Sequence, residues 1–188
     1  YDLVLHYCLL LKESRMNTAR QVEDIPEDSI VAQGFGPISY ADTFRLGHPL
    51  DESIDQIVTD IFTVPKWVNM LMRMRNAIVR PLGLQTGDGM HGKSAPYYPV
   101  GSRAVYFTVV ARTENEIIME ENDAHLKFRC SVYKSNDESA VYVTTLVHFN
   151  NFGGSIYFFI VKPFHKMIIK AVLNRIISLR QMRMPTQG

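Results

Sequence analysis

Acidic side chains are missing from the last part of this chain. No Asp or Glu follows Glu138, whereas six lysines and arginines lie between Lys162 and Arg183. The formal net charge of +1 therefore combines a basic C-terminal part with an acidic remainder. A basic stretch of this kind is typical of a solvated helix face, and it also permits attraction to an anionic ligand or an anionic membrane surface.

Other features are scarce as well. Cys8 and Cys130 are the only cysteines, which argues against a disulfide framework or a cysteine-rich metal site and favours a reducing, cytoplasmic setting. No apolar run reaches the roughly 18 residues of a membrane-spanning helix. No phosphate-binding glycine loop follows a predicted strand, since the glycines from Gly87-Asp-Gly89 onward lack that setting. The chain also has no nucleophile elbow and no nucleic-acid-binding motif, so we expect neither a cofactor nor a nucleic-acid partner.

The first fifteen residues differ from the rest. They are apolar as far as Leu11, and their charges come afterwards, whereas a secretory signal carries its positive charge first. Met16 begins a polar segment that looks like an ordinary protein start. We interpret residues 1–15 as upstream or non-native sequence and residues 16–188 as a single domain. The alternative is an extra element that packs on the body of the fold.

The first half of the domain is predicted to contain one strand and two short helices. Apolar residues alternate over Tyr40–Leu46, which predicts a strand. Helical spacing predicts a first helix over 54–62 and a second over 65–80. Residues 85–101 are rich in glycine, proline and tyrosine and predict a long loop, which is typical of lids and binding loops.

From Arg103 onward the apolar residues alternate with a period of two. The pattern predicts a meander of four strands, one beginning at Arg103 and the others over 116–121, 125–133 and 140–149. In the third of these strands we expect one face to be core and the opposite, polar face to meet solvent. The expected core residues are Leu126, Phe128, Cys130 and Val132.

A long last helix is predicted over 154–184. One side carries a polar residue at every fourth position from Lys162 to Ser178, and the other side is broadly apolar. Pro163 removes a backbone donor, so we expect either a kink near residues 159–163 or a helix that starts afresh there. The fold class is therefore α+β, with a curved antiparallel sheet wrapped around the helix and space between them for a pocket.

Four stretches of the chain, taken in order, resemble a known family. They are PKWVNMLMRMRN from Pro65, Gly83-Leu84, DAHLKFR from Asp123, and GGSIY from Gly153 followed by KPFH from Lys162. In these stretches the chain resembles a bacterial domain of unknown function, number 2867, of the START-like (SRPBCC) superfamily. The resemblance spans about residues 40–176. It implies a helix-grip fold that holds a hydrophobic molecule between sheet and helix, and it implies no established reaction.

One hairpin carries candidate catalytic residues. An aspartate near a histidine can orient the ring as a general base, which makes Asp123 and His125 the candidates for acid–base chemistry. The alternative, which we favour, is an aspartate that caps its own turn beside a solvent-facing strand. His148 and His165 come from the last strand and the last helix, but no third ligand accompanies them, so we predict no metal site.

Further residues are candidates for ligand binding. Arg75, Asn76 and Arg129 could fix a carboxylate or phosphate at a pocket rim, although Arg75 and Asn76 could equally be an exposed side chain and a backbone-bonded amide. The other candidates could form pocket walls or ordinary core. They are Trp67, Met70, Met74, Tyr157, Phe164 and Met167. Phe128 and His165 are also candidates for ligand binding.

Three functions remain open at this point. The first is binding of a small hydrophobic or amphipathic molecule, including an acidic one, in the cavity. The second is a cyclase, dehydratase or hydrolase that uses Asp123 and His125. The third is attachment to an anionic membrane surface through the basic helices. The sequence gives no indication of the oligomeric state.

Overall fold

The computed structural model describes residues 19–47, 52–63, 95–104, 107–135, 137 and 140–181, with side chains up to residue 178 in the last helix. Three predictions lie outside these residues: the leader over 1–15, the second helix over 65–80 and most of the loop over 85–101. The described part of the chain contains one short helix before the main run of strands.

Seven strands of the described chain form one antiparallel sheet. They are β1 Ala19–Val22, β2 Tyr40–Leu46, β3 Arg103–Ala104, β4 Phe107–Arg112, β5 Glu116–Asn122, β6 Leu126–Ser135 and β7 Ala140–Phe149. Their order in the sheet is β1-β2-β7-β6-β5-β4-β3. The α+β class and the antiparallel meander are therefore confirmed.

The beginning of the sheet agrees only in part with the sequence pattern. The predicted strand Tyr40–Leu46 is confirmed, and it pairs with β7 so that Thr43 lies opposite Thr144. The short edge strand β1 was not predicted, because four residues reading ARQV show no apolar alternation. Ala19 of β1 nevertheless belongs to the main core, since its backbone NH donates to Asn174 Oδ1 at 2.9 Å and draws the strand against the last helix.

The prediction of a single strand beginning at Arg103 was wrong in one respect. Two strands occupy this region, and Ala104 lies opposite Phe107, so the chain reverses direction between β3 and β4. A bulge between Val109 and Ala111 then shifts the register of β4 against β5. The alternation of apolar residues was read correctly, but alternation alone does not mark where a hairpin turns.

The short helix α1 spans Ile54–Phe62. Ser53 caps its start by accepting a hydrogen bond from the Gln56 NH. Asp55, in the first turn, is buried and forms an ion pair with Arg112 of β4, with Nη2 and Oδ2 3.1 Å apart. This pair and the apolar side of α1 fix the helix against the sheet.

The long helix α2 spans Phe152–Gln181 and continues through Pro163 without interruption. A helix that starts afresh at Pro163 is therefore excluded, and a kink near residues 159–163 stays a prediction. Asn151 caps the helix, because its Oδ1 accepts the Gly154 NH at 3.0 Å. Neither described helix is both long and apolar enough to span a bilayer.

The sheet has a helix face and a loop face. On the helix face, Phe44, Val132 and Val143 pack in one cluster with Leu173 and the other buried residues of α1 and α2. On the loop face, the irregular segment of residues 25–35 covers the sheet, and Val31 and Phe35 pack against Ile118 and Leu146. The expectation of a solvent-facing polar side was wrong, because this segment buries the loop face.

Candidate functional site

A buried carboxylate lies between the helix face and α2. Asp42 of β2 projects from the same side of its strand as Phe44, and its side chain is 0% exposed. His165 of α2 approaches from the opposite wall, with its Nε2 3.3 Å from Asp42 Oδ1. The Tyr40 hydroxyl donates to the other carboxylate oxygen at 2.7 Å. A charged group thus joins sheet and helix inside an otherwise apolar interface.

The polar character continues across the sheet beside Asp42. Strand pairing places Thr145 opposite Asp42, and Cys130 opposite Thr145, so the three side chains form one row on the helix face. The Thr145 hydroxyl is fully buried and has no hydrogen-bond partner among the described residues. A buried hydroxyl without a partner costs about 1–3 kcal/mol, so this row is not optimised for stability.

Two groups in this cluster have altered acidities. Burial raises the pKa of the Tyr40 hydroxyl above its usual range, and the hydrogen bond to Asp42 and its negative charge raise it further. Burial also raises the pKa of the Cys130 thiol to about 12, with a smaller contribution from the Asp42 charge. Both groups therefore stay protonated at neutral pH, so Tyr40 is a hydrogen-bond donor and Cys130 is an unreactive thiol.

An aromatic wall adjoins the polar cluster. Phe128 of β6 meets the His165 ring edge-on, with centroids 6.3 Å apart, and stacks on Phe107 of β4 at 5.1 Å. Phe107 in turn touches Phe62 at the end of α1 at 5.7 Å. All three phenylalanines are only half-buried, whereas the neighbouring core residues are fully buried. The site thus combines an aromatic wall with a histidine held by a buried carboxylate.

A surface groove of about 440 Å³ borders the same part of β2. It lies where the short strand β1 ends opposite Thr43, and its lining includes Gln21, Glu23 and Asp42. The groove meets β2 at the sheet edge, so it approaches Asp42 from outside the apolar interface.

Arg129, a predicted ligand contact, lies on the loop face and away from this cluster. Its guanidinium pairs with Glu120, with Nη2 and Oε2 2.7 Å apart, and also donates to the carbonyls of Val31 and Gln33. The side chain is buried and holds the covering segment to the sheet. Phe128, the preceding residue, lies on the helix face as predicted, because side chains alternate along a strand.

The Asp123 carboxylate is used by its own turn. Its Oδ1 accepts the backbone NH groups of His125 and Leu126 at 2.7 and 2.8 Å. The His125 carbonyl accepts the Asn150 NH, and its buried Nδ1 has no partner among the described residues. This geometry favours the alternative that the sequence analysis preferred, an aspartate that caps its own turn.

The remaining predicted site residues are divided between the helix and the undescribed segment. Tyr157 is buried in a second cluster with Leu126 and Phe158, and Phe164 is half-buried on α2. Met167, predicted as a pocket wall, is exposed on the outward side of α2 instead. Trp67, Met70, Met74, Arg75 and Asn76 lie outside the described residues. The described part of the chain contains no group of three His, Cys, Asp or Glu side chains that could hold a metal ion.

Sequence reasoning missed Asp42, Tyr40 and Thr145. A signal for Asp42 was present, because an aspartate occupies the alternating position that elsewhere on β2 holds Phe44 and Leu46. A charged residue on the apolar face of a strand needs a partner, and that partner is His165, more than a hundred residues later. Neither this partner nor the row with Thr145 can be predicted from the sequence unless the register of the paired strands is known.

Comparison with known proteins gives one match. No curated protein and no solved structure matches the chain. A family model described as "Protein of unknown function (DUF2867)" matches residues 35–172, well over half of the 188 residues. The matched span contains the Asp42–His165 pair, the aromatic wall and the paired strands β2 to β7. The chain therefore belongs to the DUF2867 family.

Proposed function

We propose that this protein binds a small hydrophobic or amphipathic molecule between the helix face of its sheet and α2. The apolar part of the ligand packs on the aromatic wall of Phe62, Phe107 and Phe128. Its polar end meets His165, which Asp42 holds in place. This arrangement fits the general composition of ligand sites, which are mostly apolar with a few convergent polar groups.

The observation that carries the proposal is the buried Asp42 carboxylate. Taking a carboxylate out of water is costly, and an apolar residue of similar volume would often be neutral or more favourable for stability. Asp42 nevertheless lies buried on the helix face and leaves Thr145 beside it without a partner among the described residues. Polar groups that stability does not require, placed beside half-buried aromatic rings, are expected where a ligand supplies the missing contacts.

The fold proposed for this function is the helix-grip fold of the START-like superfamily. An antiparallel sheet with a long C-terminal helix against one face supports this assignment. The two described helices pack on that same face, so the proposed ligand would lie between the sheet and these helices. The function is proposed for the domain of residues 16–188.

Native mass spectrometry of the purified protein tests the proposal first. A bound small molecule, released on denaturation and identified, should then be titrated into Asp42→Asn and His165→Gln. We expect each variant to bind at least about tenfold more weakly, because a charge-assisted contact is lost. Arg103→Met is the control, since Arg103 lies at the surface, pairs with the exposed Glu121 and is remote from the Asp42–His165 pair. Full affinity in both site variants would contradict the proposal.

An enzyme at the same place is a second candidate. A histidine whose ring is held by a buried carboxylate is suited to general acid–base chemistry, and His165 with Asp42 has this arrangement. This pair is better supported than Asp123 with His125, because the Asp123 carboxylate is occupied by backbone amides. Turnover of the identified ligand, with a pH profile that disappears in His165→Gln, would favour an enzyme over a carrier.

A further inference from the structure

The outward side of α2 carries an exposed apolar row over its first half. Phe152 and Phe159 are 79% and 81% exposed, and Ile156 and Met167 are 43% and 47% exposed. Pro163 lies between them and is exposed as well. Their spacing of three to four residues from 152 to 167 places them on one side of the helix. We call these five residues the outer stripe.

The outer stripe is a long, exposed apolar row, whereas the opposite side of the helix is buried. Its row is roughly 20 Å long at 1.5 Å per residue. The opposite side of the same helix segment buries Tyr157 and Phe158 against the sheet. Scattered exposed apolar residues need no explanation, but a continuous apolar row with two almost fully exposed phenylalanines indicates an interaction surface.

The charge around the outer stripe is positive. No acidic residue occurs anywhere in α2. Lys170 is exposed and follows Met167 by one turn on the same side. Lys162 and Lys166 lie along one flank, where Lys162 contacts the Tyr40 ring and Lys166 donates to Gln21.

Two described acids near the start of α2 are already engaged. Asn150 and Asn151 hold the β5–β6 turn against this end of the helix. Glu121, near the end of β5, pairs with Arg103 at 3.7 Å, and in the turn the Asp123 carboxylate accepts two backbone amides. The surface that the stripe presents is therefore apolar in the middle and basic along its length.

We propose that the outer stripe docks on an anionic lipid surface. Phe152, Ile156 and Phe159 insert at the boundary between headgroups and acyl chains, and Lys170 contacts lipid phosphates. The acid-free helix favours this partner over a second copy of the chain, because pairing two stripes would bring two basic helices together. The proposal is independent of the ligand site, which lies on the other side of α2.

Vesicle co-sedimentation of the full chain tests this proposal. We expect binding to phosphatidylcholine vesicles that contain phosphatidylglycerol, little binding to pure phosphatidylcholine, and weaker binding as salt is added. Phe152→Ser with Phe159→Ser should reduce binding by about tenfold for each side chain removed. Lys170→Ala should reduce it by about fivefold.

A matched control removes exposed apolar surface elsewhere. Val100 and Val110 are 59% and 39% exposed near the other edge of the sheet, so Val100→Ser with Val110→Ser should leave vesicle binding unchanged. Circular dichroism establishes that each variant is folded. The proposal would be overturned if the wild-type protein did not bind anionic vesicles. It would also be overturned if the Phe152→Ser/Phe159→Ser variant bound them as strongly as the wild type. A solution dimer that the same double substitution dissociates would assign the stripe to a second copy instead.

Discussion

The two faces of the sheet use buried polar groups for different purposes. On the loop face, Arg129 and Glu116 satisfy the backbone of the irregular segment above them, since Glu116 accepts the Ile30 NH at 2.8 Å and Arg129 donates to two carbonyls. On the helix face, Asp42 and His165 join two regular elements whose backbone bonds are already made. A covering segment without secondary structure needs side chains to complete its hydrogen bonds, whereas a helix does not.

This contrast explains where ligand chemistry is expected. On the loop face Glu116 is fully engaged, because it also accepts from the Ser29 and Ser131 hydroxyls. The buried Nδ1 of His148, on the same face of β7, has no partner among the described residues. The helix face leaves Thr145 unpartnered among the described residues and keeps an aromatic wall half-buried. Glu116 and Arg129 are therefore structural groups, whereas Thr145 and the aromatic wall retain unused binding capacity.

The strongest test of the contrast removes the charge on the loop face. Arg129→Met should lower the free energy of unfolding by about 3–5 kcal/mol, because Glu120 and two backbone carbonyls lose a buried donor. Urea denaturation followed by circular dichroism measures the change. Arg103→Met, which breaks an exposed pair, should cost less than about 1 kcal/mol. A similar loss for both variants would show that the loop face does not depend on its buried charge.

A second test concerns how tightly α2 meets the end of the sheet. A Cβ at Gly154 would lie 2.0 Å from the His125 carbonyl oxygen, and backbone cannot move aside cheaply. Gly154→Ala should therefore destabilise the protein by about 3 kcal/mol. At the neighbouring Gly153 the nearest contact is the Asn151 side chain at 3.1 Å, so Gly153→Ala should change stability by less than about 1 kcal/mol. Equal melting temperatures for the two variants would contradict this packing.

Adjacent threonines on β7 compare the two faces directly. Thr144 faces the loop side and lies within hydrogen-bond distance of Thr43, with their hydroxyl oxygens 3.2 Å apart. Thr145 faces the helix side. Thr144→Val should destabilise the protein by about 1 kcal/mol, whereas Thr145→Val should stabilise the ligand-free protein by a similar amount, because an unpartnered hydroxyl is removed. Thermal melting in the absence of ligand measures both changes in stability. If both substitutions changed the melting temperature in the same direction, the two faces would not differ in this respect.

The smallest effect on stability at neutral pH is expected at Cys130. Its pKa rises from 9.0 to about 12 on folding, so its contribution to stability is complete below about pH 9 and is lost as the pH rises towards 12. At pH 8, in a Cys8→Ser background, iodoacetamide should alkylate the folded protein at least about a thousandfold more slowly than the urea-unfolded protein. Comparable rates would mean that the thiol is accessible and not held beside Asp42.

Much of this fold follows from local pattern, and much of the site does not. Alternating residues were sufficient to locate β2, β5, β6 and β7, and helical spacing located α1 and α2. The covering of the loop face was not predicted, because residues 25–35 have no period and are held by the distant side chains of Glu116 and Arg129. Local periodicity identifies elements, whereas the partners of charged residues depend on register.

The site residues illustrate the same limit. Arg129 and Phe128 are adjacent and both were predicted to bind ligand, yet their side chains lie on opposite faces of the sheet because side chains alternate along a strand. His165 was predicted as a ligand-binding residue, but its partner Asp42 was not identified. Predicting that partner would have required the pairing of β2 with β7, which connects strands about a hundred residues apart in the chain.

The pairing of β2 with β7 also has a consequence for how the chain reaches its native state. Ala19 is bonded to Asn174, 155 residues away, and β2 finds its neighbour only after β7 has been made. During synthesis β2 must therefore wait for this second neighbour until β7 has left the ribosome, although β1 is already available to pair with it. Chains dominated by such distant contacts fold slowly, so we expect refolding in the range of milliseconds to seconds, with β4 to β7 forming before β1 and β2 join them.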